Sequence, residues 1–181
     1  TLWSLGRNWS LNRPPVDHDY ILIPPAPRYP TLDNNRTANG LWIQAGASLS
    51  LGGYNLIVTS NATVAGTLIA SGVETVTLLA NADFTGGALI AACSTLLLAG
   101  SGNQSVNPAS LAFYKVNVAN TNTVSFINGF SATELRCAAA TGTRSITFQN
   151  GTLVTLRDFV LVGSIASTNI FLRSSSSGRK W

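Results

Sequence analysis

Charge is what this sequence has least of. Only 10% of its 181 residues are Asp, Glu, Lys or Arg, against about 25% in an average globular domain. Between Arg36 and Glu74 there is no charged side chain. Hydrophobic residues still make up 45%, which excludes a disordered chain, poor in apolar and rich in charged residues. There is no Met, a single His and only two Cys. His18 sits between Asp17 and Asp19 with no nucleophile motif near it, so a Ser/His/Asp arrangement has no basis, and no metal-ligand spacing occurs. The longest apolar run, residues 88–99, is interrupted and too short to cross a bilayer as a helix. With no initial Met and no basic segment leading into an apolar one, the chain reads as a mature or excised segment.

The net charge of +4 invites a nucleic-acid reading, but its distribution argues against one. No Lys or Arg occurs from 37 to 114, and seven of the eleven basic residues are scattered from Lys115 onward. Tracking a phosphate backbone needs a clustered patch interleaved with aromatics.

Thr, Ser, Asn and Gly stand where the charge is missing, an exchange common in extracellular β-proteins. Residues 1–36 hold six of the seven prolines together with Trp3, Trp9 and the His. Only 20–23 read as a strand there. Proline removes a ladder donor, so this segment is expected to cover the end of a fold, as a cap, rather than extend a sheet. From 37 to 181 the text changes to short alternating strands: 41–43, 49–51, 56–58, 68–70, 75–79, 88–92, 95–98, 114–118, 124–126, 135–137, 146–148, 153–156, 159–162 and 170–172. Gly, Asn, Ser or Asp punctuates nearly every gap. No segment of eleven or more residues has a 3.6-residue period. The chain is expected to be all-β.

A loose repeat of ~20 residues runs through these strands, as in GTLIASGVETVTLLA and GALIAACSTLLLAG, and such periods mark solenoids. The expected architecture is a parallel β-helix of six or seven coils, a rod of roughly 30 Å at ~4.8 Å per coil. Leu49, Leu51, Leu56 and Val58 should then stack inside, with Ser48, Ser50 and Asn55 outside. Alternation also turns Cys93 and Cys137 inward, as free buried thiols, with a disulfide as the alternative. A Greek-key sandwich fits the strand count too; an outer-membrane barrel wants strands of ~10 residues and aromatic girdles, for which only Trp181 speaks.

The pattern NWS…PP…D…ILIPP (residues 8–25) followed by LWIQAGASLSLGGYNLIV resembles the opening of β-solenoid modules of large bacterial surface proteins, adhesin-like or autotransporter-passenger-like. So do LLLAGSGNQSV…FYKVNVANTNTVSF and ITFQNGTLVTLRDFVLVGS…IFLRSSSSGRKW. The resemblance implies a right-handed parallel β-helix, secretion to the extracellular space or cell surface, and a structural or adhesive role. Such modules usually run on past LRSSS…G…W, where this text stops.

A polysaccharide-degrading enzyme on the same scaffold needs paired carboxylates. Of Glu74, Asp83, Glu134 and Asp158, only Glu134 and Asp158 lie about one coil apart, beside Arg136 and Arg157; a surface ion-pair ladder is the plainer reading. The Thr pairs 75/77, 121/123 and 141/143 occupy different places in their repeats, so an ice- or glycan-facing ladder would be ragged. Asn8, Asn35, Asn61, Asn103 and Asn150 each begin an N-x-S/T sequon. The expectation is a non-enzymatic, cofactor-free building block that associates head to tail into a filament, stalk or adhesin, its last coil completed by the leading TLWSL strand of another molecule. Trp3, Leu5, Trp9, Trp42 and Trp181 are the candidate junction residues. The alternatives are a monomeric module binding surface glycans, and the polysaccharide-degrading enzyme.

Overall fold

The computed structural model describes residues 1–139, 142–163 and 169–178. Every pairing between its strands is parallel. The chain winds into a β-solenoid of about seven turns, with strands gathered into sheets of eight, seven and three. The only helical element among the described residues is one 3-10 turn, Gly6–Asn8.

Stacking follows from side-chain alternation. A strand buried on one face must place every second residue inward, and a parallel neighbour in register repeats that choice. In the seven-stranded sheet Leu56 sits opposite Val76, Val76 opposite Leu96, Leu96 opposite Val116, and Val116 opposite Leu135. All are buried. The expected inward set of Leu49, Leu51, Leu56 and Val58 is fully buried.

The third sheet holds only Ser48–Ser50, Thr67–Ala70 and Ala88–Ala91. Isolated bridges carry its row upward from Ser50 through Thr31 to Leu2. Beyond Ala91 no strand of the described residues continues that sheet, and strands of the seven-stranded sheet lengthen instead, to Phe130–Ala139 and Val154–Gly163. Phenylalanines fill the interior there: Phe113 lies edge-on to Phe84 at 5.9 Å and to Phe130 at 6.1 Å, and Phe126 stacks on Phe148 at 5.7 Å.

Several expectations are corrected. Tyr20–Ile23, inside the proline-rich segment, does extend a sheet, pairing with Gly40–Ile43 as the first strand of the eight-stranded sheet; its prolines fall just after it. Arg36–Ala38, Ala62–Val64, Ala82–Asp83 and Gln104–Asn107 are strands the alternation did not single out, being short and poor in large apolar side chains. The segments 153–156 and 159–162 belong to one strand, Val154–Gly163. Cys93 is exposed, in the turn just past Ala88–Ala91 where alternation no longer holds, whereas Cys137 is buried; neither forms a disulfide.

Candidate functional site

The leading residues are engaged within their own chain. Thr31 N–H donates to the Thr1 carbonyl at 2.7 Å, and Trp3 N–H to the Thr31 carbonyl at 2.9 Å. Trp3 is completely buried, 4.8 Å and edge-on from Trp9, whose indole N–H donates to the Trp3 carbonyl at 2.8 Å. Trp3 is therefore withdrawn as a surface anchor and TLWSL as a free strand, because the core and the Thr31 bridge already hold them. Trp9 is half-buried against Trp3 and the core. Leu5 is 36% exposed and Trp42 41% exposed, the latter in the outward row between Leu22 and Thr63. Trp181 lies outside the described residues, as do Thr141, Arg179 and Lys180.

Two ion-paired aspartates hold this end together. The Asp19 carboxyl is lowered to about 2, first by hydrogen bonding from the Arg13 guanidinium at 2.6 and 2.9 Å and then by the Val16 N–H. Asp33 is likewise lowered to about 2, by the Ser4 hydroxyl first and the Arg36 guanidinium second.

Above the outer edge of Tyr20–Ile23 lies a cleft of about 410 Å³. Trp9, Leu11, Pro15, Ala26, Arg28 and Tyr29 line it beside that strand. Neither the cleft nor its free edge was foreseen from sequence. Residues 1 and 29 of its lining are joined by a hydrogen bond from the Thr1 amino group to the Tyr29 carbonyl, which no local pattern announces.

Three charged residues of the seven-stranded sheet form a column. Lys115 stands opposite Glu134 and Glu134 opposite Asp158. Lys115 Nζ reaches Glu134 Oε1 at 2.9 Å, and Arg157 Nε reaches Asp158 at 3.1 Å. The expected neighbourhood of Glu134 and Asp158 is thus present, in the form of ion pairs. Arg136 stands one row over, opposite Val160. His18 is exposed. Asp83 accepts from Thr85 N–H and hydroxyl.

Buried polar groups tie the turns together, Glu74 among them, which the sequence offered only as a carboxylate without a partner. Glu74 is buried, its carboxylate accepting from Gly53 N–H at 3.1 Å and Gly72 N–H at 2.6 Å, two turns clamped by one side chain. Buried Gln104 donates to the Leu78 and Ala80 carbonyls, and buried Asn120 donates to the Gln104 side-chain oxygen Oε1 and to the Gly102 carbonyl. Buried Arg144 donates to the Ala119 carbonyl at 3.0 Å. Burial pushes the Cys137 thiol up, with Arg144 pulling the other way. The only signal for these was a polar residue at an inward strand position or in a turn.

All five sequon asparagines are exposed. Asn35 is also structural: its Oδ1 accepts from Asn55 N–H at 2.9 Å, and Asn55 Oδ1 accepts from Thr75 N–H at 2.7 Å, a ladder twenty residues per step. Of the threonine pairs, Thr75 and Thr77 lie in Thr75–Leu78 of the seven-stranded sheet, while Thr123 belongs to Thr123–Phe126 of the eight-stranded sheet. No helix of the described residues is long and apolar enough to cross a membrane, and no three metal-ligating side chains cluster among them. The fold and edges place the molecule in the class of parallel β-solenoids. Comparison with protein-family models, curated proteins and solved structures gives no match.

Proposed function

We propose that this chain is a non-enzymatic, extracellular β-solenoid building block that associates head to tail into a surface filament, stalk or adhesin. One observation carries the reading. Because every pairing is parallel, the first and last strands of a sheet carry complementary rows of free backbone donors and acceptors, the kind of edge that templates further pairing. Tyr20–Ile23 and Ile170–Ser174 are those strands of the eight-stranded sheet. At the second end, Phe159 and Leu161, inward residues of the last turn, are still 38% and 41% exposed. Contact between two different surfaces propagates into a filament rather than closing into a dimer. Scarce charge, hydroxyl- and amide-rich faces, exposed sequons and the resemblance to bacterial surface modules support an extracellular setting.

Size-exclusion chromatography and negative-stain imaging over a range of concentrations test this reading. Concentration-dependent rods are expected; a strict monomer at high concentration overturns it. A polysaccharide-degrading reading has the adjacent Glu134 and Asp158 in its favour. Lys115 and Arg157 already pair with those carboxylates, so the structural reading is preferred. Turnover of any glycan that disappears in Glu134→Ala or Asp158→Ala would reverse that preference.

A further inference from the structure

In a parallel strand the N–H and C=O of one residue point to the same side, and successive residues alternate sides. The Asp19 and Ile23 carbonyls accept from Asn39 and Gln44, so residues 19, 21 and 23 face the sheet. Tyr20 and Leu22 therefore direct their N–H and C=O groups away from it, on the side of the cleft they line, where no strand of the described residues pairs with them. The cleft is a vacant strand position on the eight-stranded sheet.

At the other end of that sheet, Arg144 N–H donates to the Asn169 carbonyl and Ser175 N–H to the Phe148 carbonyl. By the same alternation Ile170, Leu172 and Ser174 turn their backbone groups toward the unpaired side. We propose that the cleft receives the strand Ile170–Ser174 of a second copy, added in parallel with Phe171 opposite Leu22. This rests on the head-to-tail reading and replaces TLWSL as the mating segment.

Backbone direction and side-chain face, which chirality couples in every strand, are both met by that register. The free groups of Leu22 meet those of Ile170 and Leu172, while the inward residues Ile170 and Leu172 fall in line with Ile21 and Ile23. A slip of one residue breaks both, because it turns every side chain to the opposite face. A shift of two keeps both and places Phe171 opposite Tyr20.

A second copy is favoured over a free peptide because Ile170–Ser174 ends the same sheet with its own edge unpaired among the described residues. A copy also sets Phe171 beside Leu22 in the outward row, both exposed in the single chain. Backbone pairing holds such a junction, and the side-chain pockets select the register.

The test uses the full chain. Leu22→Pro removes an N–H that the chain's own sheet does not use and places a ring in the cleft. Sedimentation velocity should show self-association weakened by about tenfold or more, from one lost edge hydrogen bond and the obstructing ring, with an unchanged circular dichroism spectrum. In a Cys93→Ser background, mixing Leu22→Cys with Phe171→Cys chains should give an oxidised heterodimer, which supports the junction even where Leu22→Pro fails to fold. If the wild type associates but mixing gives no heterodimer, this junction is wrong and head-to-tail assembly survives through another contact. A wild type that sediments as a monomer at every concentration overturns both.

Discussion

Trp3 is buried whole, yet its indole N–H has no hydrogen-bond partner among the described residues. The ring's contribution is therefore packing against Trp9 and the core. Trp3→Phe should change stability by less than about 1 kcal/mol, because no hydrogen bond is lost, whereas Trp3→Ala should cost about 3–5 kcal/mol by leaving a cavity; urea unfolding of the two variants separates the terms. Glu74 is the opposite case, a buried carboxylate whose bonds hold two turns together. Glu74→Ala leaves the Gly53 and Gly72 N–H groups unpaired and should cost about 1–3 kcal/mol, read the same way. The cysteines separate by accessibility: a thiol reagent should modify Cys93 in the native protein and Cys137 only after unfolding. Equal native labelling would contradict the burial of Cys137.

Among the elements, the turns between strands carry the tightest constraints. A Cβ on Gly87 would stand 2.1 Å from the Val64 carbonyl oxygen of the turn above, and one on Gly66 2.3 Å from that of Gln44. Neither oxygen can move without breaking the sheet. Gly102 has open space around it. Gly87→Ala should therefore lower the thermal midpoint clearly, while Gly102→Ala should leave it level or raise it, by about 0.4–1 kcal/mol of unfolded-state entropy. Ala109 and Ser110 take positive φ, 51° and 61°, near the point where the third sheet stops. Strand periodicity was readable in sequence wherever Leu, Ile, Val or Phe alternate. It was silent at Ala62–Val64 and Ala82–Asp83, whose inward residues are mostly alanine and whose partners lie a full turn away.

For the whole molecule, two ion-paired carboxyls of the N-terminal segment predict a loss of stability in acid. Asp19 and Asp33 are both held near 2 when folded, below the about 3.9 of an unperturbed aspartate. A depressed carboxyl stabilises the fold fully above its unfolded value and loses that contribution as the pH falls toward its folded value. The thermal midpoint should thus be level above about pH 5 and fall between about pH 4 and pH 2. In the Asp19→Asn, Asp33→Asn double variant the midpoint should start lower and fall less over the same window. An identical slope in the variant would assign acid sensitivity to other carboxylates.

Composition and alternation by themselves determined that the chain is all-β, that it repeats about every twenty residues, and which aliphatic side chains stack inside, because a half-buried strand writes its two faces into successive residues. The neighbourhood of Glu134 and Asp158 was readable for the same reason, once turn length was known. Tertiary structure alone decided that Trp3 is interior, that Cys93 is exposed, that Glu74 and Gln104 are buried, and that a free strand edge lies beneath a cleft. Each of these depends on which turn lies above or below. That contact is set by coil lengths ranging from nineteen to twenty-six residues between paired strands, as from Ser48 to Thr67 and from Arg144 to Ile170, and no local pattern encodes it.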